Sequence, residues 1–292
     1  MAQQLINGLI AGSMYALLAL GYSLVFGLLN RLNIAHGDVF MSGGFAGLAA
    51  FTLLDAPAWL AVVVAFVVTG LVGILVELAC FKPLEKYHSE ITAALSTVAF
   101  GIALTEVIHI IWGTEPVALP REVGQMRLNW GGVEFSVIQL VILAVSLFLM
   151  LALYFAVMKT KVGREIRAVA ESPTSSALLG INLGGVIRST FFISSALAGV
   201  AGILYAMRIG VVSPQIGLTF GIKALAIMAI GGIGDMRGSM VAGLLIGVIE
   251  ALAYQFGLGG YAELIVWMAL ILTLIFKPSG LFGGYMSREA RV

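Results

Sequence analysis

The chain has 292 residues but only 15 acidic and 16 basic side chains. Each charge embedded in an apolar run is therefore a place to look for chemistry. Residues 30–44, NRLNIAHGDVFMSGG, gather Arg31, Asn33, His36 and Asp38 between two apolar stretches. A His and an Asp two positions apart could hold or move a proton. Neither is joined by a recognisable nucleophile, so an intramembrane enzyme is a poor reading. Glu106, His109, Arg208, Lys223 and Glu263 also interrupt apolar runs. They either ring an external vestibule, pair with one another or meet a partner. Glu250 sits nearer the middle of its run and needs a donor. It is either a buried structural hydrogen bond or part of a path for substrate.

Other chemistries are poorly served. The three His, His36, His88 and His109, are far apart and no H-E-x-x-H is present, so no metal site is expected. The nearest approach to a nucleotide-binding loop, GLTFGIK at 217–223, has the wrong glycine spacing and lies in an apolar run. If ATP drives this protein, another chain must hydrolyse it. The single Cys80 reads as a packing residue.

The elements that position these side chains follow from hydropathy. A 60% apolar content and a mean hydropathy of +1.06 lie well above the roughly 45–50% apolar content of soluble domains. Residues 5–29 carry no charge, and a bilayer crossing takes about 20 apolar residues. The chain reads as an all-α polytopic membrane protein with about 8–10 crossings in one transmembrane domain over 1–292. Nine apolar segments stand out: 5–29, 39–54, 57–80, 91–112, 136–158, 191–212, 217–234, 239–257 and 261–276. The second is short and glycine-rich, and the seventh holds AIGGIG and Lys223. Both are expected to be short or broken helices. MAQQ lacks the basic start of a signal peptide, so the first segment reads as a retained span.

Alternating the loops places 12 of the 16 Lys and Arg on one side. The positive-inside rule makes that side cytoplasmic. It puts the C-terminus inside and the N-terminus outside. Small residues such as GGFAGLAA and GSMVAGLLIG let helices approach closely in lipid. HGDVFMSGGFAG and IGDMRGSMVAG share Gly-Asp with Ser four residues after the Asp, a short internal echo.

The sizeable cytoplasmic loop is 159–190. Ser172 reads as an N-cap and Pro173 as a first helical residue. Gly180 stands where a helix ends. A short helix over 173–179 is expected, preceded by another near 164–171. Ala177, Leu178 and Leu179 put apolar side chains on a water-facing loop. They serve either a protein docking surface or an interfacial helix on lipid headgroups.

The opening NGLIAGSMYALLALGYSLVFGLLNRLNIAHGDVFMSGG resembles the permease subunits of bacterial branched-chain amino acid ABC importers. It is closest to the first of their two paralogous permeases. The likeness continues through AVAESPTSSALLGIN and KALAIMAIGGIGDMRGSMVAGLLIGVIE to FKPSGLFG. It implies a permease subunit, not an enzyme, working in the bacterial inner membrane. Expected partners are a paralogous permease or a second copy, two ATPase subunits, and a periplasmic or lipoprotein binding protein. Nucleic acid is not among them. No cofactor is expected on this chain; ATP with Mg would sit on the ATPases. Such a permease inserts a short cytoplasmic coupling helix into a groove of the ATPase. The resemblance assigns that role to Ser172, Pro173, Thr174, Ser175, Ser176, Ala177, Leu178, Leu179 and Gly180, with Thr174–Ser176 replacing the usual E-A-A. Relatives of this type also look built for urea or short amides, so an amide permease is the alternative. A stand-alone secondary transporter is the more distant rival, because only Glu250 and Glu106 suit a carboxylate network.

Asn33, His36, Gly37, Asp38, Glu106, Lys223 and Glu250 are candidates for the translocation path or gate. At the break, Asp38 is expected to cap the second helix and Gly37 to permit its turn. Asn30, Asn33 and His36 are expected to satisfy freed backbone groups. Non-helical backbone at membrane depth survives only inside protein or beside water. A structural turn and an inner gate both remain readings of this stretch.

Overall fold

The computed structural model describes residues 1–87, 90–120, 127–130 and 133–283. His88, Arg121, Arg288 and Arg291 lie outside them. Eleven α-helices occur among the described residues: α1 Ala2–Leu29, α2 His36–Leu53, α3 Ala58–Val76, α4 Glu90–Trp112, α5 Val137–Lys159, α6 Lys161–Glu171, α7 Pro173–Leu178, α8 Leu183–Ile209, α9 Ile216–Gly231, α10 Met236–Gln255 and α11 Ala262–Phe276. Four short strands form two antiparallel ladders. β1 Val117–Ala118 pairs with β4 Val211–Val212, with Val117 opposite Val212. β2 Arg127–Trp130 pairs with β3 Val133–Ser136, with Arg127 opposite Ser136.

Among the described residues, seven helices are long and apolar enough to cross a bilayer, with α3 followed to Leu84 and α11 taken from Gly259. The chain is an all-α polytopic membrane protein. α2 and α9 fall short of that measure, as their sequences foretell. α2 spends its first turn on His36 and Asp38. α9 has 16 residues and ends at Gly232 with φ 119, a backbone that favours glycine.

α1 and α8 are buried along most of their length, while α4, α5 and α11 are peripheral. Lipid gives helices no hydrophobic reason to associate, so close backbone packing must hold them. α1 runs along α10 through facing glycines. A Cβ on Gly12 would lie 2.8 Å from Leu244 Cα, and one on Gly243 2.5 Å from Ala16 Cα. α9 wedges between α1, α2 and α10, so it touches both elements that carry the polar residues.

One end of the bundle gathers the chain turns. Leu28 of α1, Ile166 and Val169 of α6 and Val186 of α8 form a small apolar cluster. The segment after α11 folds back onto the same end: Leu281 N–H donates to Ile230 O at 2.8 Å and Phe282 N–H to Gly231 O at 2.9 Å. That docking gives the FKPSGLFG stretch a structural purpose.

Two expectations need correction. The sixth apolar segment was expected from residue 191, but α8 begins at Leu183. Asn182 caps it, accepting from Gly185 N–H at 3.1 Å. The polar run Arg188-Ser189-Thr190 reads as loop in sequence, yet it lies within the helix. Arg188 Nε stands 3.8 Å from Glu77 Oε2, and Ser189 and Thr190 each donate to Val186 O. Glu77 thus meets Arg188 at a π-turn that continues α3 over Glu77–Phe81. Asp38 is the second correction. α2 starts at His36 with no side-chain cap, so Asp38 lies inside the first turn and its side chain is free to reach sideways.

Candidate functional site: two polar clusters and an exposed helix

The first cluster is the break between α1 and α2. Asn30 closes α1 in the left-handed region, φ 52, donating to Phe26 O at 2.7 Å. Asn tolerates that conformation better than most residues. The chain then turns back along α1. The His36 ring meets Tyr22 edge-on, 4.5 Å between centroids. A Cβ on Gly21 would fall 2.5 Å from His36 Nε2. Gly21 lies eight residues before the end of α1, about 12 Å along its axis at 1.5 Å per residue. The polar stretch is therefore folded into the bundle rather than left at its end.

At the start of α2 three helices converge. A Cβ on Gly37 would sit 2.7 Å from Gly221 Cα of α9. Asp38 Oδ1 accepts from the Thr105 hydroxyl of α4 at 3.4 Å and lies beside Gly217 of α9. The backbone freed by the break is satisfied by another residue: Ile34 N–H donates to Thr97 Oγ1 at 3.0 Å. The expected role of Asn33 and His36 as side-chain partners for that backbone is not what the geometry shows. Both polar atoms of the Asn33 side chain are buried without a hydrogen-bond partner among the described residues. Buried polar groups are normally paired, so this cluster holds unmet hydrogen-bonding capacity beside a backbone break.

The second cluster joins α1, α9 and α10. Lys223 Nζ donates to Glu250 Oε1 at 3.0 Å, and Tyr15 O–H donates to Glu250 Oε2 at 2.7 Å. Lys223 is 7% and Glu250 9% exposed. The ammonium lies 5.2 Å from the Tyr15 ring centroid and 5.6 Å from that of Phe220. The faces of these rings attract a cation. Phe220 in turn stacks on Phe40 at 5.2 Å and packs against Tyr205 at 4.4 Å. Lys223 and Glu250, 27 residues apart, thus become one neutral unit capped by aromatics. The aromatic members were not singled out from sequence. Tyr15 stands in a charge-free span and only its partner marks it.

The other ionisable candidates separate from this unit. Glu106 is 64% exposed on α4 and faces His109 one turn on, 3.5 Å away. Arg208 Nη2 contacts Asn7 O at 3.5 Å. Glu263 lines a groove that Lys223 also lines.

The third feature is α7. Ser172 caps it, accepting from Ser175 N–H at 3.2 Å, with Pro173 in the first turn. The helix ends at Leu178, one residue short of the expected 179, because Leu179 and Gly180 leave helical geometry, Gly180 at φ 83. Ser176 is buried, and Thr174, Ser175 and Ala177 are exposed. Leu178 is 86% and Leu179 81% exposed.

The comparisons agree with one another. Residues 4–275 match the model of the branched-chain amino acid transport system / permease component family. The chain is 35% identical to the high-affinity branched-chain amino acid transport system permease protein BraD of Pseudomonas aeruginosa, over 96% of this chain and 95% of that protein. It is 34% identical to LivH, a permease protein of the same description from Escherichia coli K12, with the same coverage. Identity to LivM of that organism is 26%, over 91% of this chain and 67% of LivM. No solved structure matches. On the family match and the near full-length identity, this chain belongs to the branched-chain amino acid transport permease family.

Proposed function

We propose that this chain is one half of the membrane path of an ATP-driven importer for branched-chain amino acids. The observation that carries the reading is α7: Leu178 at the end of a capped short helix and Leu179 just past it, both more than four-fifths exposed. α6 leads into that helix, and Ile166 and Val169 anchor α6 to α1 and α8. An exposed apolar pair at such a helix end suits a groove in an ATPase subunit. The names of the relatives supply the substrate class, and none of them supports urea or an amide.

A second permease completes the path, and the likeness to both LivH and LivM supports a paralogue in that place. ATP and Mg belong to two ATPase subunits, and an external binding protein delivers substrate. The end that bears α6 and α7 faces the cytoplasm in the inner membrane, by its excess of Lys and Arg. Binding protein and ATP then bias two pore states through differential contacts. The chain itself makes and breaks no covalent bond.

Leu179→Asp tests this reading. It should abolish stimulation of the ATPase by loaded binding protein while the chain still inserts. Normal leucine uptake by a Leu179→Asp importer in proteoliposomes would sink the docking role. Uptake by the isolated chain without ATP would sink the importer class.

A further inference from the structure

A groove of about 240 Å³ runs between α9 and α11. Its walls are Leu218, Ile222 and Lys223 on one side and Glu263, Val266 and Trp267 on the other. Lys223 lies in the middle of α9, and an ionisable group at bilayer depth faces protein or water rather than lipid. This groove has Lys223 on one wall and Glu263 on the other, among aliphatic and aromatic neighbours. An ammonium has three donors. Glu250 takes one at 3.0 Å, and the rings of Tyr15 and Phe220 cover another side. Tyr15 also fixes Glu250, so the ammonium is held in place at the groove wall. No ion pair is formed by Glu263 among the described residues. The volume lies below the roughly 300–1,000 Å³ of pockets for drug-sized ligands and suits one small molecule.

We propose that this groove is a transit subsite for a zwitterionic α-amino acid with an aliphatic side chain. Lys223 receives the carboxylate, Glu263 the ammonium, and Leu218, Ile222, Val266 and Trp267 the side chain. Charge-assisted hydrogen bonds give both ionic ends direction. The subsite rests on the importer reading above and adds the atoms that handle the substrate. A neutral diamide such as urea would leave the Glu263 carboxylate unanswered, so the groove selects against it.

The test uses the complete importer with its binding protein, in proteoliposomes, with L-leucine as the probe. Glu263→Gln should lower leucine uptake about tenfold, the worth of one charged hydrogen bond. Ile222→Trp, which fills the groove from an exposed position, should do at least as much. Both should still assemble with their partners on gel filtration. In a Cys80→Ala background, Ile222→Cys should react with a thiosulfonate reagent, and L-leucine should slow that reaction while urea does not. Wild-type uptake by both groove variants, or absence of leucine protection at Ile222→Cys, overturns the subsite. If the wild-type complex imports no branched-chain amino acid, the importer reading falls and the subsite falls with it. If the wild type imports leucine and the groove variants match it, only the subsite falls.

Discussion

Glu250 decides more at the scale of single residues than any other side chain. It accepts from Lys223 and from Tyr15, and all three are buried. Glu250→Gln removes the counter-charge and leaves a buried ammonium facing a neutral amide. Breaking a buried pair from one side costs about 3–5 kcal/mol. Thermal unfolding in detergent should show that loss. The double variant Lys223→Met, Glu250→Leu replaces the pair with apolar groups and should recover more than half of it. Equal stability of the two variants would show that the pair carries no such burden. Asp38 teaches a complementary lesson. Its sequence echo, Asp235, caps α10 by accepting from Gly238 N–H at 2.8 Å. Asp38 sits three positions later relative to its own helix start and reaches α4 instead. The same Gly-Asp with a Ser four on performs two different tasks because the helices begin at different points.

Packing at the scale of elements is set by backbone contact. The start of α2 meets α9 where Gly37 faces Gly221. A methyl there would press on backbone, which cannot swing aside as a side chain can. Gly37→Ala should therefore push α2 from α9, cost about 1–3 kcal/mol as overpacking does, and cut uptake. Gly184→Ala in α8 is the control, since its Cβ would meet only Asn182 Oδ1 at 3.8 Å. It should be neutral or slightly stabilising, because alanine favours helix over glycine. Melting temperatures in detergent compare the two, and equal behaviour would refute the close-approach argument. α6 and α7 show the opposite design. Ile166 and Val169 fix α6 on the bundle, and α7 follows it with Leu178 and the adjoining Leu179 exposed.

For the whole molecule, the end of α1, α6, the start of α8 and the turn after α9 gather at one end. The proposed orientation predicts labelling from opposite sides. In a Cys80→Ala background, Ser175→Cys should react only with reagent on the cytoplasmic side. Glu115→Cys, in the turn before β1, should react only from outside. Reversed labelling would invert the orientation and remove α7 from the ATPase side. The bundle also explains why α2 and α9 can be short. Both are flanked by longer helices, α1, α8 and α10, so their ends lie against protein, where a polar break survives.

The sequence by itself determined the class, the nine segments, the two short ones and the capped helix near 173–179. Each of these is written in local order: runs without charge, Ser-Pro at a helix start, Gly at its end. It also marked Lys223 and Glu250 as out of place, since an unpartnered charge in an apolar run is conspicuous in one dimension. Only the tertiary structure decided that these two answer each other, with Tyr15 as the third member, because pairing across α1, α9 and α10 leaves no periodic trace. It alone moved the start of α8 to Leu183, where Glu77 meets Arg188 and makes a charged turn tolerable inside a helix. It also turned residues 30–44 from a loop at the membrane edge into a break folded against Gly21 and Tyr22. Local chemistry says which polar groups need partners; the fold supplies those partners or, at Asn33, leaves a buried amide without one among the described residues.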